Sequence, residues 1–180
     1  MSLGVALLGA GWAAAMHARA ARAAGLALVG VAARDADKTR AFAAAHGISI
    51  ATGDWRALIA RPEVDLVVIA TPNALHAPQA LQALGAGKHV LVEKPMALSV
   101  EAGAEMLAAA RGAGRILAVG HMWRYRPEVI ALRDRIVAGD FGRIVRTHGF
   151  GVHAQWGPSG WFVDPALAGG GALIDMGIHA

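Results

Sequence analysis

Short apolar runs alternate with Ala-rich amphipathic stretches through the first two thirds of the chain. Leu3 to Leu8 is continuously apolar, as suits a strand of a parallel sheet covered on both faces. Trp12 to Ala24 predicts a helix, and Gly25 can close it as a left-handed cap. Leu26 to Ala33 predicts a second strand, after which Asp35 or Asp37 can cap a helix ending at Gly47. Ile48 to Ala51 predicts a short strand, and Asp54 can cap a brief helix that stops before Pro62. The strongly apolar stretch Val64 to Ala70 predicts another strand. A helix from about His76 to Ala86 ends at Gly87, and Lys88 to Val92 predicts the next strand. Ser99 can cap a helix to about Arg111, and Arg115 to Val119 closes the series. Strands and helices alternating through short connections predict an α/β fold with a doubly wound parallel sheet.

The pattern changes near Gly120. Gly120 to Arg126 is polar and aromatic, and Pro127 predicts a helix running to Ala138 as its first-turn proline. Arg143 to Phe150 alternates in part and predicts a strand of a different sheet. An irregular stretch containing Trp156, Gly157, Pro158, Gly160, Trp161 and Pro165 then leads to Gly169-Gly170-Gly171. A helical start through Asp175 and His179 follows. Two domains are expected, residues 1–120 and residues 121–180. One or two strands do not make a stable sheet, so the second domain is expected to be incomplete.

Composition narrows this picture. The 180 residues are 56% hydrophobic with 23 Gly and 7 Pro, which indicates a globular chain rather than a disordered one. The apolar runs are far shorter than the roughly 18 residues a membrane span needs. Met1 to Gly4 carries no basic region, so no signal peptide is expected. There is no cysteine, which excludes disulfides and thiolate metal sites and fits the cytoplasm. The net charge of +4 comes from scattered arginines, and Arg124-Tyr125-Arg126 is too short for a nucleic-acid stripe. No nucleic-acid or membrane partner is expected.

Chemistry enters at three places. Gly9-Ala10-Gly11-Trp12-Ala13-Ala14 fits G-x-G-x-x-G/A and stands between a strand and a helix, the context a dinucleotide turn requires. Gly9 permits the tight turn, Gly11 leaves room for a pyrophosphate, and Ala14 keeps the helix close to the sheet. Trp12 opens that helix. The second strand ends Val31-Ala32-Ala33-Arg34-Asp35, with Ala33 where an acid would hold a ribose 2′-hydroxyl. A small residue followed by Arg34 favours a 2′-phosphate and so NADP; Asp35 in a shifted register would serve NAD. The third place is Glu93-Lys94-Pro95, at the end of an apolar strand. Of the 17 basic side chains only Lys38, Lys88 and Lys94 are lysines. An amine can change its charge state when partly buried, whereas a guanidinium effectively cannot.

Four separated segments point the same way: Gly9-Ala10-Gly11; Ala70-Thr71-Pro72-Asn73 with His76; Gly87 through Glu93-Lys94-Pro95; and Gly169-Gly170-Gly171 through Asp175 to His179. Together they resemble the Gfo/Idh/MocA family of NAD(P)-dependent oxidoreductases, and Trp161 with Asp164-Pro165 resembles the family's lead-in to the glycines. The resemblance implies a Rossmann domain followed by the start of an α/β domain on a large, mostly antiparallel sheet. It implies hydride transfer between NADP or NAD and a sugar, polyol or related compound, in a protein that self-associates at full length. It implies that Thr71, Pro72, Asn73 and His76 lie along the cofactor and Glu93 near the nicotinamide ribose. Lys94 would be the catalytic lysine, in a Lys94–Pro95 peptide that is often cis, with Asp175 and His179 as the other polar catalytic residues. A helix would put Asp175 and His179, four apart, on one face. That pair could also hold a metal, but no third ligand is in place and none is expected. His121 and Tyr125 either line a substrate pocket or pack as ordinary loop residues. Family members are longer than this chain, so a truncated product, a fragment or one part of a split enzyme is expected, with a non-catalytic dinucleotide-binding module that pairs with another chain as the alternative function.

Overall fold

The computed structural model describes residues 2–148 and 158–179. Six strands form one sheet: β1 (Gly4–Leu8), β2 (Ala27–Ala32), β3 (Ile50–Thr52), β4 (Leu66–Ile69), β5 (His89–Val92) and β6 (Leu117–Val119). All pairings are parallel, in the order β3-β2-β1-β4-β5-β6. The helices between them are α1 (Trp12–Ala23), α2 (Ala36–Ala45), α3 (Trp55–Ile59), α4 (His76–Gly85) and α5 (Val100–Ala113).

The continuous apolar runs are explained by burial on both faces. Along β1, Val5 and Leu7 join Ala14, Ala18 and Ala21 of α1 and Phe42 of α2 on one side. Ala6 and Leu8 join Leu58 of α3, Leu84 of α4 and Met106 of α5 on the other. Each fully buried Leu or Val contributes about 1.5–3 kcal/mol of apolar transfer. The small residues on α1 let it sit close to the sheet. The caps the sequence predicts are made. Asp35 accepts from the Lys38 N–H at 3.0 Å, Asp54 from the Arg56 and Ala57 N–H groups at 3.0 Å, and Ser99 from Ala102 N–H at 3.1 Å. Such a cap is worth about 1 kcal/mol.

The strand order reverses between β1 and β4. In doubly wound sheets a ligand crevice opens there, beyond the carboxyl ends of the strands. The loops after β1, β4 and β5 surround it.

After β6 come a 3₁₀ turn at Met122–Tyr125, α6 (Pro127–Val137), a 3₁₀ turn at Gly160–Val163, α7 (Pro165–Ala168), α8 (Ala172–Asp175) and a last 3₁₀ turn at Gly177–His179. Residues 143–148 form no strand, contrary to the expectation for Arg143 to Phe150; residues 149 and 150 lie outside the described residues, as do His153, Trp156 and Gly157. A strand needs a neighbouring strand to take its backbone hydrogen bonds, and the described strands pair with one another in the one six-stranded sheet. Asp175 and His179 do not share one helix either. The chain leaves α8 at Met176 and turns again in a 3₁₀ turn at Gly177–His179. Gly177, with the poorest helix propensity after proline, sits at the break. No helix among the described residues is long and apolar enough to cross a membrane.

Candidate active site

The dinucleotide turn is built as its glycines require. Gly9 donates its N–H to Ala32 O at 2.8 Å and has φ +107°; a Cβ there would press into the Ala70 carbonyl. Only glycine adopts that backbone without strain. Gly11 is the N-cap of α1, and a Cβ added there would meet no protein atom within 4 Å. No side chain caps α1 and no acid stands in its first turn, so its N-terminal N–H groups point into open space. A helix start of this kind can hold an anion, and the residues present fit the pyrophosphate of a dinucleotide. Ala14 is fully buried against the sheet, while Trp12 is 71% exposed at the first helical position. Arg34 is exposed just past the end of β2, after half-buried Ala33.

The loop after β4 divides its residues. Thr71 and Pro72 stay half-buried at the rim. Thr71 Oγ1 donates to Gln79 Oε1 at 2.7 Å. Asn73 turns inward, and its Nδ2 donates to Ala168 O at 2.9 Å, which docks α7 onto this loop. His76 is also turned inward and is 1% exposed, with its ring between the backbone carbonyls of Pro95 and Thr71.

Lys94 emerges after β5, in a Lys94–Pro95 peptide that is cis. Its Nζ donates to Asp175 Oδ1 at 2.6 Å and to Asp175 O at 2.8 Å. Both side chains are about one fifth exposed, so the pair is screened but open to a ligand. Contact across so long a stretch of chain is made by the seating of the glycine loop: Gly169 follows α7, which Asn73 holds. Glu93 anchors the same strand end. Its Oε2 accepts from the Lys94 N–H at 3.2 Å, and its Oε1 lies 2.7 Å from His17 Nε2. Burial raises the Glu93 pKa, but the His17 hydrogen bond and charge and the Lys94 N–H outweigh it and hold the carboxyl below its usual value.

His17 is the residue that reading the sequence missed. A signal was present: it lies on the stripe of α1 defined by Ala14, Ala18 and Ala21, which faces the sheet. A titratable side chain on such a stripe needs a polar partner.

His179 stands edge-on to two rings, His121 at 6.4 Å between centroids and Trp123 at 6.0 Å. Burial lowers its pKa, and the Lys94 and His121 charges lower it further against Asp175 and Glu93. The ring is therefore largely neutral near pH 7 and able to take a proton. Its Nδ1 is buried with no hydrogen-bond partner among the described residues. A cavity of about 420 Å³ is lined by His121, Trp123, Arg124, Ile178 and His179, whereas Tyr125 is 75% exposed and outside it. Among the described residues no group of three or more His, Cys, Asp and Glu could hold a metal ion.

An amine tied to a carboxylate after β5, with an imidazole nearby and a glycine turn that fits a dinucleotide after β1, two strands away, can move a proton beside a nicotinamide.

Known proteins share the sequence and fold of this chain. The chain is 38% identical over 163 residues to 1,5-anhydro-D-fructose reductase of Ensifer adhaerens, covering 89% of this chain and 48% of that protein. It thus spans about half the length of the curated relatives it matches. It superposes on an NAD-binding oxidoreductase from Klebsiella pneumoniae with a TM-score of 0.83 and 35% identity, covering 99% of this chain and 51% of the other. It also superposes on a levoglucosan dehydrogenase in complex with NADH and levoglucosan, with a TM-score of 0.84 and 31% identity over 99% of this chain and 52% of that one. Residues 3–121 match the model of the oxidoreductase family with an NAD-binding Rossmann fold, and residues 129–180 match the Gfo/Idh/MocA C-terminal domain. With a parallel Rossmann sheet, a glycine cradle and both models matched in order, the chain belongs to the Gfo/Idh/MocA oxidoreductase family.

Proposed function

We propose that this chain carries the cofactor domain and catalytic face of an oxidoreductase that transfers a hydride between NAD(P) and a sugar, polyol or related hydroxy compound. The observation that carries the reading is the Lys94 Nζ–Asp175 Oδ1 contact of 2.6 Å at the mouth of the dinucleotide crevice. Gly9, Gly11 and the α1 N-terminus would hold the pyrophosphate, with Trp12, Thr71, Pro72 and Glu93 along the crevice and Asn73 and His76 bracing its wall. When bound, the nicotinamide supplies the hydride acceptor or donor. Lys94 then exchanges the proton of the substrate hydroxyl. Asp175 aims the amine and balances its charge, and the neutral His179 ring shares the proton. Ala33 followed by exposed Arg34 favours NADP over NAD, since a guanidinium pairs with a 2′-phosphate.

A domain boundary after residue 120 is supported by the two family matches, which end at 121 and resume at 129. A mostly antiparallel sheet completing the second domain, and self-association through it, fit the uncovered apolar side chains of α6. One observation favours a second reading, a dinucleotide-binding module that pairs with another chain: no residue of α6 is buried.

Titration of the purified chain with NADPH and NADH, followed by a screen of sugars and polyols for change in nicotinamide absorbance, separates the two. Nucleotide binding with turnover of any hydroxy compound is expected. Tight binding without turnover would support the module, and binding of neither nucleotide would remove both readings.

A further inference from the structure

His76 poses a donor-counting problem. Its ring opens α4 at 1% exposure, with Nδ1 2.7 Å from Pro95 O and Nε2 2.9 Å from Thr71 O. Carbonyl oxygens only accept, so both contacts are hydrogen bonds only if the ring carries two protons. Burial pushes the pKa of His76 below its usual value, against the pull of the two carbonyls. The charged groups acting on the ring are Glu93, which favours the cation, and Lys94, which opposes it. Thr71 and Gln79, which flank it, are uncharged. The positive end of α4 also disfavours an imidazolium at its first position. Near pH 7 the ring therefore has one N–H to give to two acceptors.

We propose that this proton sits on Nδ1 and is donated to the Pro95 carbonyl, which makes His76 a positioning residue for Lys94. Three observations carry the choice. The Pro95 contact is the shorter of the two. Thr71 keeps a second bond to α4 through Oγ1 and Gln79, so its loop stays attached when its carbonyl relaxes from the ring. Pro95 is buried and adjoins Lys94, whose Nζ must reach Asp175, so a shift at Pro95 displaces the amine directly. The sheet holds this loop from one side, through Glu93 N–H to Ile69 O at 2.9 Å, and the His76 ring holds it from the other. The inference rests on reading Lys94 as the reacting amine.

Two substitutions separate the ring nitrogens. The amide nitrogen of asparagine falls near the Nδ1 position and that of glutamine near Nε2. His76→Asn thus keeps a donor toward Pro95, and His76→Gln keeps one toward Thr71. Lys94 acetylation by acetic anhydride, followed by peptide mass mapping, reads how firmly the amine is held. His76→Gln is expected to raise the Lys94 rate about tenfold, the size of one lost hydrogen bond, and His76→Asn to leave it within about twofold. Equal changes in both variants, or none in either, would overturn the proposal. If a variant does not fold, the ¹⁵N ring resonances of His76 in the unaltered protein at pH 7 decide. A protonated Nδ1 with a bare Nε2 is expected; the reverse tautomer or a doubly protonated ring refutes it. Neither readout needs turnover, so failure of the oxidoreductase reading would register separately, in the nucleotide and substrate assays.

Discussion

From Gly4 to Val119 the buried apolar side chains belong to one of two cores, on opposite faces of the sheet. From His121 to His179 the only buried apolar residue among the described ones is Ala168. Both regions contain well-formed helices. The α6 helix has its first-turn proline, yet Leu132 is 52% exposed and Val137 81%. Helix-forming pattern and helix burial are thus separate properties. The first needs only local sequence; the second needs a partner surface at the right distance. The candidate site straddles the two regions, taking Lys94 from the first and Asp175 and His179 from the second. Among the described residues the contacts between them include Lys94 to Asp175, Asn73 to Ala168, and Leu98 against Gly169.

The largest effect is expected where the regions meet. Lys94→Met should lower turnover of any accepted hydroxy compound by ~10²–10⁴-fold, the range of a lost general acid–base group. The NADPH dissociation constant should stay within about threefold, less than one hydrogen bond. Steady-state kinetics and fluorescence titration measure the two, and turnover that survives the change would remove Lys94 from the chemistry.

The contrast in burial can be broken directly. Leu84→Ala, in the core under α4, should cost ~2–5 kcal/mol in urea unfolding. Leu132→Ala on α6 should stay within about 0.5 kcal/mol in the same chain. A comparable loss at Leu132 would mean that α6 is packed in solution, against a second copy or another segment.

A smaller effect tests the cofactor side of the first region alone. Arg34→Asp should move the ratio of NADPH to NADH affinity about tenfold toward NADH, the worth of one charge-assisted hydrogen bond. An unchanged ratio would place the ribose contact elsewhere.

The smallest is a change of slope. The folded Glu93 carboxyl titrates below 4.5, its ordinary value, so the unfolded chain binds that proton more readily. Its stabilising contribution is full above that value and is lost as pH falls through 4.5 toward the folded pKa. Melting temperature against pH should be flatter below 4.5 in Glu93→Gln than in the unaltered chain. Parallel curves would show that the His17–Glu93 pair adds nothing to folding.

Legibility in the sequence follows the same division. The central strands β1 and β4 could be read because a strand buried on both faces is continuously apolar, whereas the half-buried edge strands β3 and β6 were read as short apolar runs between helices. Asp54 and Ser99 could be read as caps because a cap reaches only two or three residues along the chain. Gly9 was legible because its backbone demand is local. The expected strand beginning at Arg143 was not found at residues 143–148, because alternation alone provides no neighbour to pair with. His76 was expected along the cofactor, and its ring is turned inward between the Pro95 and Thr71 carbonyls. Which way a helix-opening side chain turns depends on the loop packed beside it, and that loop comes from β5. His17 went unread because its partner, Glu93, is distant in sequence.

By itself, then, the sequence determined the order of strands and helices, their caps, the glycine turn and the residue types available for chemistry. These rest on periodicity and on interactions within a few residues. The tertiary structure alone decided the strand order, the crevice at its reversal, and the meeting of Lys94 with Asp175 and of His17 with Glu93. It also decided that one buried imidazole faces two carbonyls. Such pairings are set by how layers stack and loops seat, and distance along the chain carries no record of that.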